Sequence, residues 1–219
     1  MATVELKKLR RANHPLARLR RSFGPGLAFF REFVKHPAMI GSIIPSSPVL
    51  VRSVLDRVDW NATRLFVEYG PGVGTFTRPV LERLRPDAML LAIDTNEGFI
   101  RYLNGDIADH RFRAIHGSAA DVRRIIAEQG LAEADHILSG LPFSTLPEGV
   151  GEAIMAETCA ALRPGGSFLV YQYSDYVRPM LGAAFDRTER DFEWLNIPPC
   201  RIFRAYRAEE AAAAQAKAA

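Results

Sequence analysis

Leu65-Phe66-Val67-Glu68-Tyr69-Gly70-Pro71-Gly72-Val73-Gly74-Thr75-Phe76 is the stretch on which the fold of this chain turns. Four of its first five residues are apolar, as in a strand buried on both faces of a parallel sheet. Glycines then stand at alternate positions and a helical pattern follows. A strand, a tight glycine turn and a helix form the cradle for a nucleoside-bearing cofactor. Glycine suits such a turn because it accepts backbone angles that other residues avoid and lets a ligand approach the main chain.

The spacing separates two cofactor classes. A dinucleotide fingerprint reads G-x-G-x-x-G. Counted from Gly70, its third glycine would fall where Thr75 stands. The order from Glu68 to Gly74 is instead E-x-G-x-G-x-G, which resembles the first motif of class I S-adenosylmethionine-dependent methyltransferases. The next apolar run, Met89-Leu90-Leu91-Ala92-Ile93-Asp94, ends on an acid 20 residues beyond Gly74. A carboxylate near that offset accepts hydrogen bonds from both hydroxyls of a ribose. The alternative for Asp94 is a helix cap before Asn96-Glu97. The resemblance implies S-adenosylmethionine as cofactor and S-adenosylhomocysteine as product. It also implies a cofactor site of Glu68, Gly70, Pro71, Gly72, Gly74, Asp94 and Thr95.

A chain of 219 residues suits one domain plus an extension, and 48% hydrophobic residues suffice for a substantial core. Its two cysteines, Cys159 and Cys200, form no C-x-x-C and have no histidine cluster nearby. Neither a disulfide framework nor a metal site is expected. No run reaches the ~18 apolar residues of a membrane span, and the basic start is not followed by the apolar segment of a secretory signal.

The net charge of +3 hides an asymmetry. Residues 1–35 carry nine Lys/Arg against Glu5 and Glu32, so the remainder is mildly acidic. Leu6, Leu9, Leu16 and Leu19 are interspersed with the basic residues, and Leu27-Ala28-Phe29-Phe30 follows a Gly24-Pro25-Gly26 break. This is the composition of a helix lying in a membrane interface. A solvated basic tail, a helix docked on the domain, or a transit peptide are the alternatives.

The rest of the chain alternates. Strand-like runs lie at 65–69, 88–94, 111–116, 134–139 and 167–173, with helical segments at 75–85, 96–104, 119–128 and 148–162. Two further strands are expected at 188–195 and 200–206. The alternation predicts an α/β fold, a parallel sheet with helices on both faces. The whole resembles the Rossmann-like, seven-stranded, mostly parallel sheet of class I methyltransferases, here with an N-terminal basic amphipathic helical extension. The expected organisation is an arm at 1–36, a catalytic domain at 37–207 and an Ala-rich tail at 208–219.

Ligands of such a sheet sit beyond the carboxyl ends of its strands. After the third strand comes His116-Gly117-Ser118-Ala119-Ala120-Asp121; in the methyltransferase pattern this loop flanks the adenine, which the resemblance extends to Ser118 and Ala119. Ser118 stands where the methyltransferase pattern often has Asp. Asp121 reads as the cap of the next helix. After the fourth strand comes Ser139-Gly140-Leu141-Pro142-Phe143. Enzymes that methylate adenine in ribosomal RNA carry N-L-P-Y here, and Gly140 stands in place of the amine-reading asparagine. Phe143 is left to stack on a base.

An S-G-L-P loop resembles the bacterial phospholipid N-methyltransferases, which act on phosphatidylethanolamine. Phe29-Phe30 and Gly41-Ser42-Ile43-Ile44-Pro45-Ser46-Ser47 resemble that family's opening motif, and Trp194-Leu195-Asn196-Ile197-Pro198-Pro199 its closing one. The resemblance spans 27–207. It implies methylation of a headgroup amine towards phosphatidylcholine, with Ser139 and Tyr173 as candidates for the chemistry, Ser139 also for the cofactor site, and Ser42, Ile43, Leu141, Pro142 and Tyr173 for the substrate. Tyr69 and Tyr171 are further candidates at strand ends, and Arg178 and Arg201 are candidates for a phosphate. A monomer is expected, peripheral to the inner face of the cell membrane in the cytoplasm, with anionic membrane and phospholipid as partners and no nucleic acid. The alternatives are another amino lipid such as ornithine lipid, an RNA adenine methyltransferase, or a binding module without turnover.

Overall fold

The computed structural model describes residues 46–209. The basic arm, Ser42, Ile43 and most of the Ala-rich tail lie outside the described residues.

Helix α1 (Pro48–Leu55) precedes β1 (Leu65–Tyr69), α2 (Thr77–Arg83), β2 (Met89–Asp94), α3 (Glu97–Asp106) and β3 (Phe112–His116). Then come α4 (Val122–Glu128), β4 (Ala134–Ser139), α5 (Val150–Ala161), β5 (Leu162–Gln172), α6 (Arg178–Ala184), β6 (Arg187–Glu193) and β7 (Cys200–Tyr206). The strands form one seven-stranded sheet in the order β3-β2-β1-β4-β5-β7-β6. The ladders from β3 to β5 are parallel, and β7 runs antiparallel to both neighbours. The expected seven-stranded sheet with one reversed strand is the sheet observed.

Strand alternation divides the core in two. Leu65, Val67 and Tyr69 face one side with Ile93, Ile137 and Phe168, and pack on residues of α4, α5 and α6. Phe66, Leu90, Ala92, Leu138 and Ile202 face the other, against α1, α2 and α3. Burial on both faces is why β1 reads as an apolar run. The one polar member of β1, Glu68, shares the face of Phe66.

Two strand boundaries and two helices differ from the sequence expectation. The fifth strand starts at Leu162, so Pro164-Gly165-Gly166 lies inside it. Leu162 pairs with Ala134, and the register then shifts before Ser167 meets His136. That irregularity takes in the proline, which cannot donate to a ladder. The sixth strand ends at Glu193, leaving Trp194 and Leu195 in the turn to β7. Helices α1 and α6 were not anticipated, because each is short and opens on Ser-Pro or Arg-Pro rather than on an acidic first turn.

Helix α1 is fastened to the far edge of the sheet. Ser47 caps it by accepting a hydrogen bond from the Leu50 amide at 3.1 Å, and Pro48 takes the first turn, where no amide partner is needed. Arg204 of β7 is fully buried, donates to the Ser53 carbonyl at 2.5 Å and pairs with Asp56 and Asp191. Ser53 donates to Glu193 of β6. These bonds bring Ser46 and Ser47 to the carboxyl end of β5.

Candidate active site

The strand order reverses at β1, so a crevice opens between the carboxyl ends of β1 and β4. Gly70, Gly72 and Gly74 all have positive φ, at 65°, 55° and 85°. They need glycine for different reasons. A Cβ on Gly72 would meet nothing within 4 Å, so open space lies above the turn where a ligand can approach the main chain. A Cβ on Gly74 would press on Leu103 at 3.0 Å, so this glycine lets the turn pack against α3. The turn is held by the Gly70 amide on the Ile93 carbonyl and the Gly74 amide on the Pro71 carbonyl, both at 2.9 Å.

Two carboxylates serve this turn differently. Glu68 lies below it, 3% exposed, and accepts from the Thr77 hydroxyl at 2.7 Å. Burial pushes its pKa up to about 7, against the pull of the Thr77 bond, with the nearby Asp94 charge adding to the rise. Glu68 ties β1 to the first residue of α2 and so sets the turn from beneath. Asp94 sits at the rim. Its Oδ1 accepts from the Asn96 amide at 2.8 Å, and the Gly72 amide also donates to it. Burial raises its pKa, partly offset by these bonds. Asp94 is not the helix cap: Asn96 caps α3 by accepting from the Gly98 amide at 2.9 Å. Thr95 is exposed, and its carbonyl meets His116 Nε2 at 3.0 Å.

A glycine cradle with open space above Gly72 and a carboxylate at the end of β2 fits the ribose and main-chain contacts of a nucleoside cofactor. Residues 66–166 match the methyltransferase domain family. The chain carries a methyltransferase domain over this span. An ornithine lipid N-methyltransferase of Singulisphaera acidiphila is 29% identical over 80% of this chain and 92% of its own length. A ribosomal RNA small subunit methyltransferase H of Nitrosomonas europaea is 31% identical, but over 45% of this chain and 31% of its own length. Among solved structures, a Thermus thermophilus 16S rRNA methyltransferase in complex with S-adenosylmethionine and guanosine superposes with a TM-score of 0.56. It is 20% identical, with 74% of this chain and 43% of that one covered.

In this methyltransferase the loop after β3 is shaped by Ser118. Its Oγ accepts from the Ala120 amide at 3.2 Å and caps a short 3-10 turn at Ala119–Asp121. Asp121 does not cap the next helix as expected. It makes no capping bond and pairs with Arg124 at 3.4 Å, because the helical path begins three residues early. Ala119 is buried, and the Ser118 hydroxyl keeps its proton free to donate.

The loop after β4 is more informative. Ser139 is fully buried, and its Oγ accepts from the Leu141 amide at 3.2 Å, which bends the chain outward. Gln172 fixes the same residue by donating to its carbonyl at 2.6 Å. Leu141 lies 3.1 Å from where a Gly70 Cβ would be, so this loop rests on the glycine turn. A Cβ on Gly140 would overlap the Tyr171 hydroxyl and lie 3.1 Å from its ring carbon. Tyr171 stacks on Phe76 at 4.7 Å and is hydrogen-bonded by the Ser46 side chain. Burial, then the charge of Glu68, raise its pKa, which keeps the phenol neutral. Two expectations fail here. Phe143 is 1% exposed, because a 3-10 turn directs its ring into the core, and it cannot stack on a base. Tyr69 faces the other side of the sheet, fully buried with its hydroxyl 3.1 Å from that of Thr158.

Tyr173 follows β5 and is half-buried, with its hydroxyl on the Asn196 side chain and its pKa raised by burial. Asn196 is 2% exposed. Its Oδ1 accepts from the Ser47 amide at 3.1 Å and its Nδ2 donates to the Pro198 carbonyl at 2.7 Å. Ser47, the last residue of the opening motif, therefore meets the closing motif through Asn196. Tyr171 is a strand-end candidate, whereas Ser46 and Asn196 figure in the sequence only within the opening and closing motifs, with no role expected of them. The one legible signal was Gly140, whose missing side chain implies a neighbour in its place. Of the two arginines, Arg178 is exposed, while Arg201 pairs with Asp175 at 3.1 Å and donates to the Tyr173 carbonyl.

A second cleft, at the amino ends of the strands, is lined by Arg64, Asp135, Arg163 and Arg111. There the Asp135 carboxylate accepts from the Arg64 and Leu65 amides and from Arg163, which is a strand-edge fastening. The two cysteines are free, with Cys200 buried and donating to the Gln172 carbonyl. Among the described residues no helix is long and apolar enough to cross a membrane.

Proposed function

We propose that this methyltransferase transfers methyl groups to the headgroup amine of a membrane amino lipid, with ornithine lipid as the first candidate. The observation that carries this reading is the Tyr171 hydroxyl in the side-chain space of Gly140. An asparagine that reads the amine of adenine has no room there. The comparisons point the same way. The ornithine lipid enzyme is similar along 80% of this chain, whereas the ribosomal RNA enzyme matches 45% of it. That ranking places ornithine lipid ahead of phosphatidylethanolamine, the headgroup expected from the S-G-L-P loop. The same amine chemistry serves both.

Asp94 would hold the ribose hydroxyls, the Gly70–Gly74 turn would receive the methionine part against its main chain, and Ser118 would offer its hydroxyl to the adenine. When bound, the cofactor supplies an electrophilic methyl carbon on a sulfonium. The residues of the chain must then place an amine in line with it and keep that amine unprotonated. An ammonium taken out of water between Leu141, Pro142, Tyr171 and Tyr173 loses its proton more readily. The neutral Tyr171 phenol accepts an amine N–H and directs the nitrogen lone pair away from itself, towards the crevice. Each transfer forms one N–C bond, breaks one S–C bond and releases the ammonium proton. The Tyr173 ring can hold the increasingly methylated cation on its face. Ser139 acts through Leu141 as a positioning residue. Alignment of this kind supplies several kcal/mol of a barrier.

The full-length protein with methyl-labelled cofactor should label vesicles that contain ornithine lipid. Label in phosphatidylethanolamine vesicles alone would exchange the two lipids in rank. Label in ribosomal subunits with both lipids unlabelled would overturn the reading.

A further inference from the structure

Among the described residues the exposed large hydrophobic side chains are four: Tyr176 at 52%, Trp194 at 73%, Leu195 at 74% and Ile197 at 86% exposure. They are not scattered. Trp194, Leu195 and Ile197 form the β6–β7 turn, and Tyr176 lies in the β5–α6 loop. Arg201 joins these loops. Its Nε pairs with Asp175, beside Tyr176, and its guanidinium lies 5.5 Å from the Phe192 ring, which packs at 4.2 Å on Trp194. Arg190 also reaches Asp175, at 3.4 Å.

The turn is built to stay out. Asn196, in its middle, is buried and bonded to the Ser47 amide and the Pro198 carbonyl, so the residues on either side of it cannot fold inward. The Leu195 amide donates to Glu193 at 2.9 Å. The same Asn196 carries the hydroxyl of Tyr173. A rigid apolar turn is thus one side chain away from the mouth of the substrate site.

We infer that Trp194, Leu195 and Ile197, with Tyr176 beside them, enter the headgroup–acyl boundary of a lipid bilayer and set Tyr173 at the membrane surface. This deepens the proposed function and rests on its amino-lipid reading. The occupant is a bilayer because the patch combines the residues that favour that boundary, Trp and Tyr with aliphatic neighbours. The exposed Arg178 and Arg190 flank it and suit anionic headgroups. A lipid amine seated at Tyr173 also leaves its acyl chains in a membrane, so the protein must meet that membrane near Tyr173.

The chain holds two tryptophans, and the other, Trp60, stacks inside on Phe66. Trp60→Phe therefore leaves Trp194 as the sole indole reporter. With vesicles of phosphatidylethanolamine and phosphatidylglycerol, its emission should shift to the blue and be quenched by lipids brominated near the headgroup end of the chains. In the full chain, Leu195→Ser with Ile197→Ser should weaken vesicle binding about tenfold or more. It should lower turnover on vesicles while leaving turnover on the same lipid in detergent micelles within about twofold.

Unshifted Trp194 emission while the protein sediments with vesicles would overturn the inference. So would emission already blue without lipid. In that case concentration-dependent sedimentation would assign the patch to a second copy, and a red shift on deleting residues 1–26 would assign it to the chain's own start. Insertion of Trp194 with no lipid labelled in any assay would leave this inference standing and remove the amino-lipid substrate instead.

Discussion

The two halves of the crevice are built on different sequence scales. The cofactor half is local: Gly70–Gly74, Asp94 and Ser118 each stand at the end of their own strand, within residues 70–118. The proposed substrate half is assembled from segments far apart in the chain. Ser46 and Ser47 reach it from the start of α1, Tyr171 from β5 and Tyr173 from just beyond it, and Asn196 from the last turn, with Ser47 and Asn196 149 residues apart. The difference shows in the relatives. Ribosomal RNA enzymes match under half of this chain, and the ornithine lipid enzyme matches most of it. In the proposed reading, cofactor identity belongs to a short continuous stretch, and substrate class to contacts that close over the whole sheet.

The comparison breaks most readily at Gly140. Gly140→Asn should displace the Tyr171 hydroxyl and lower methyl transfer about 100-fold, since small misplacements at a reacting centre cost that much. S-adenosylmethionine affinity, measured by calorimetric titration, should stay within about threefold. Equal losses in both would mean that the halves are not separable.

Asp94→Ala tests the other half. Losing a charge-assisted hydrogen bond costs about 1.5–3 kcal/mol, or roughly 10–150-fold in cofactor Kd. Lipid KM should hardly move at saturating cofactor. Unchanged cofactor affinity would remove Asp94 from the ribose.

Asn196→Ala leaves the Ser47 amide and the Pro198 carbonyl without their partner. An unpaired buried group costs about 1–3 kcal/mol. Denaturant unfolding should register that loss, and lipid KM should rise, because Tyr173 loses its hydroxyl partner. Cofactor Kd should not follow. A rise in cofactor Kd as large as that in KM would show that the closing turn supports both halves.

The smallest effect concerns Glu68. Its folded-state pKa of about 7 lies above the ordinary 4.5. A raised carboxyl favours the folded state at pH below its unfolded value, and that contribution is lost as pH rises through the folded value. Thermal stability of the ligand-free protein should therefore decline by a few degrees between about pH 4.5 and 7, and less in Glu68→Gln. Cationic S-adenosylmethionine should also release a fraction of a proton near pH 7, where neutral S-adenosylhomocysteine releases less. Calorimetry in buffers of different ionisation enthalpy would detect it. Equal proton release by the two ligands would place the sulfonium away from Glu68.

The cofactor half was legible because it obeys local rules. Alternating glycines after an apolar strand, and an acid ending the next strand, leave few other arrangements. Ser118 took the capping bond expected of Asp121 because capping depends on where a helix begins, which moved by one short turn. Phe143 was misplaced for a related reason, since a 3-10 turn changes the face an aromatic ring takes. The contacts of Tyr171, a strand-end candidate, and of Asn196 could not be assigned from their neighbours in sequence. One looks like a core aromatic near a strand end, and the other like a polar residue in a proline-rich loop.

What the amino-acid sequence determined by itself is the alternation of strands and helices, the glycine turn and the acid at its rim. Each follows from hydrophobic period and backbone freedom over a few residues. What only the tertiary structure decided is that the Tyr171 hydroxyl fills the space of Gly140, and that Asn196 binds Ser47 and leaves Trp194, Leu195 and Ile197 outside. Those contacts depend on sheet register and on α1 being clamped by Arg204, and neither is encoded in any one stretch of the chain.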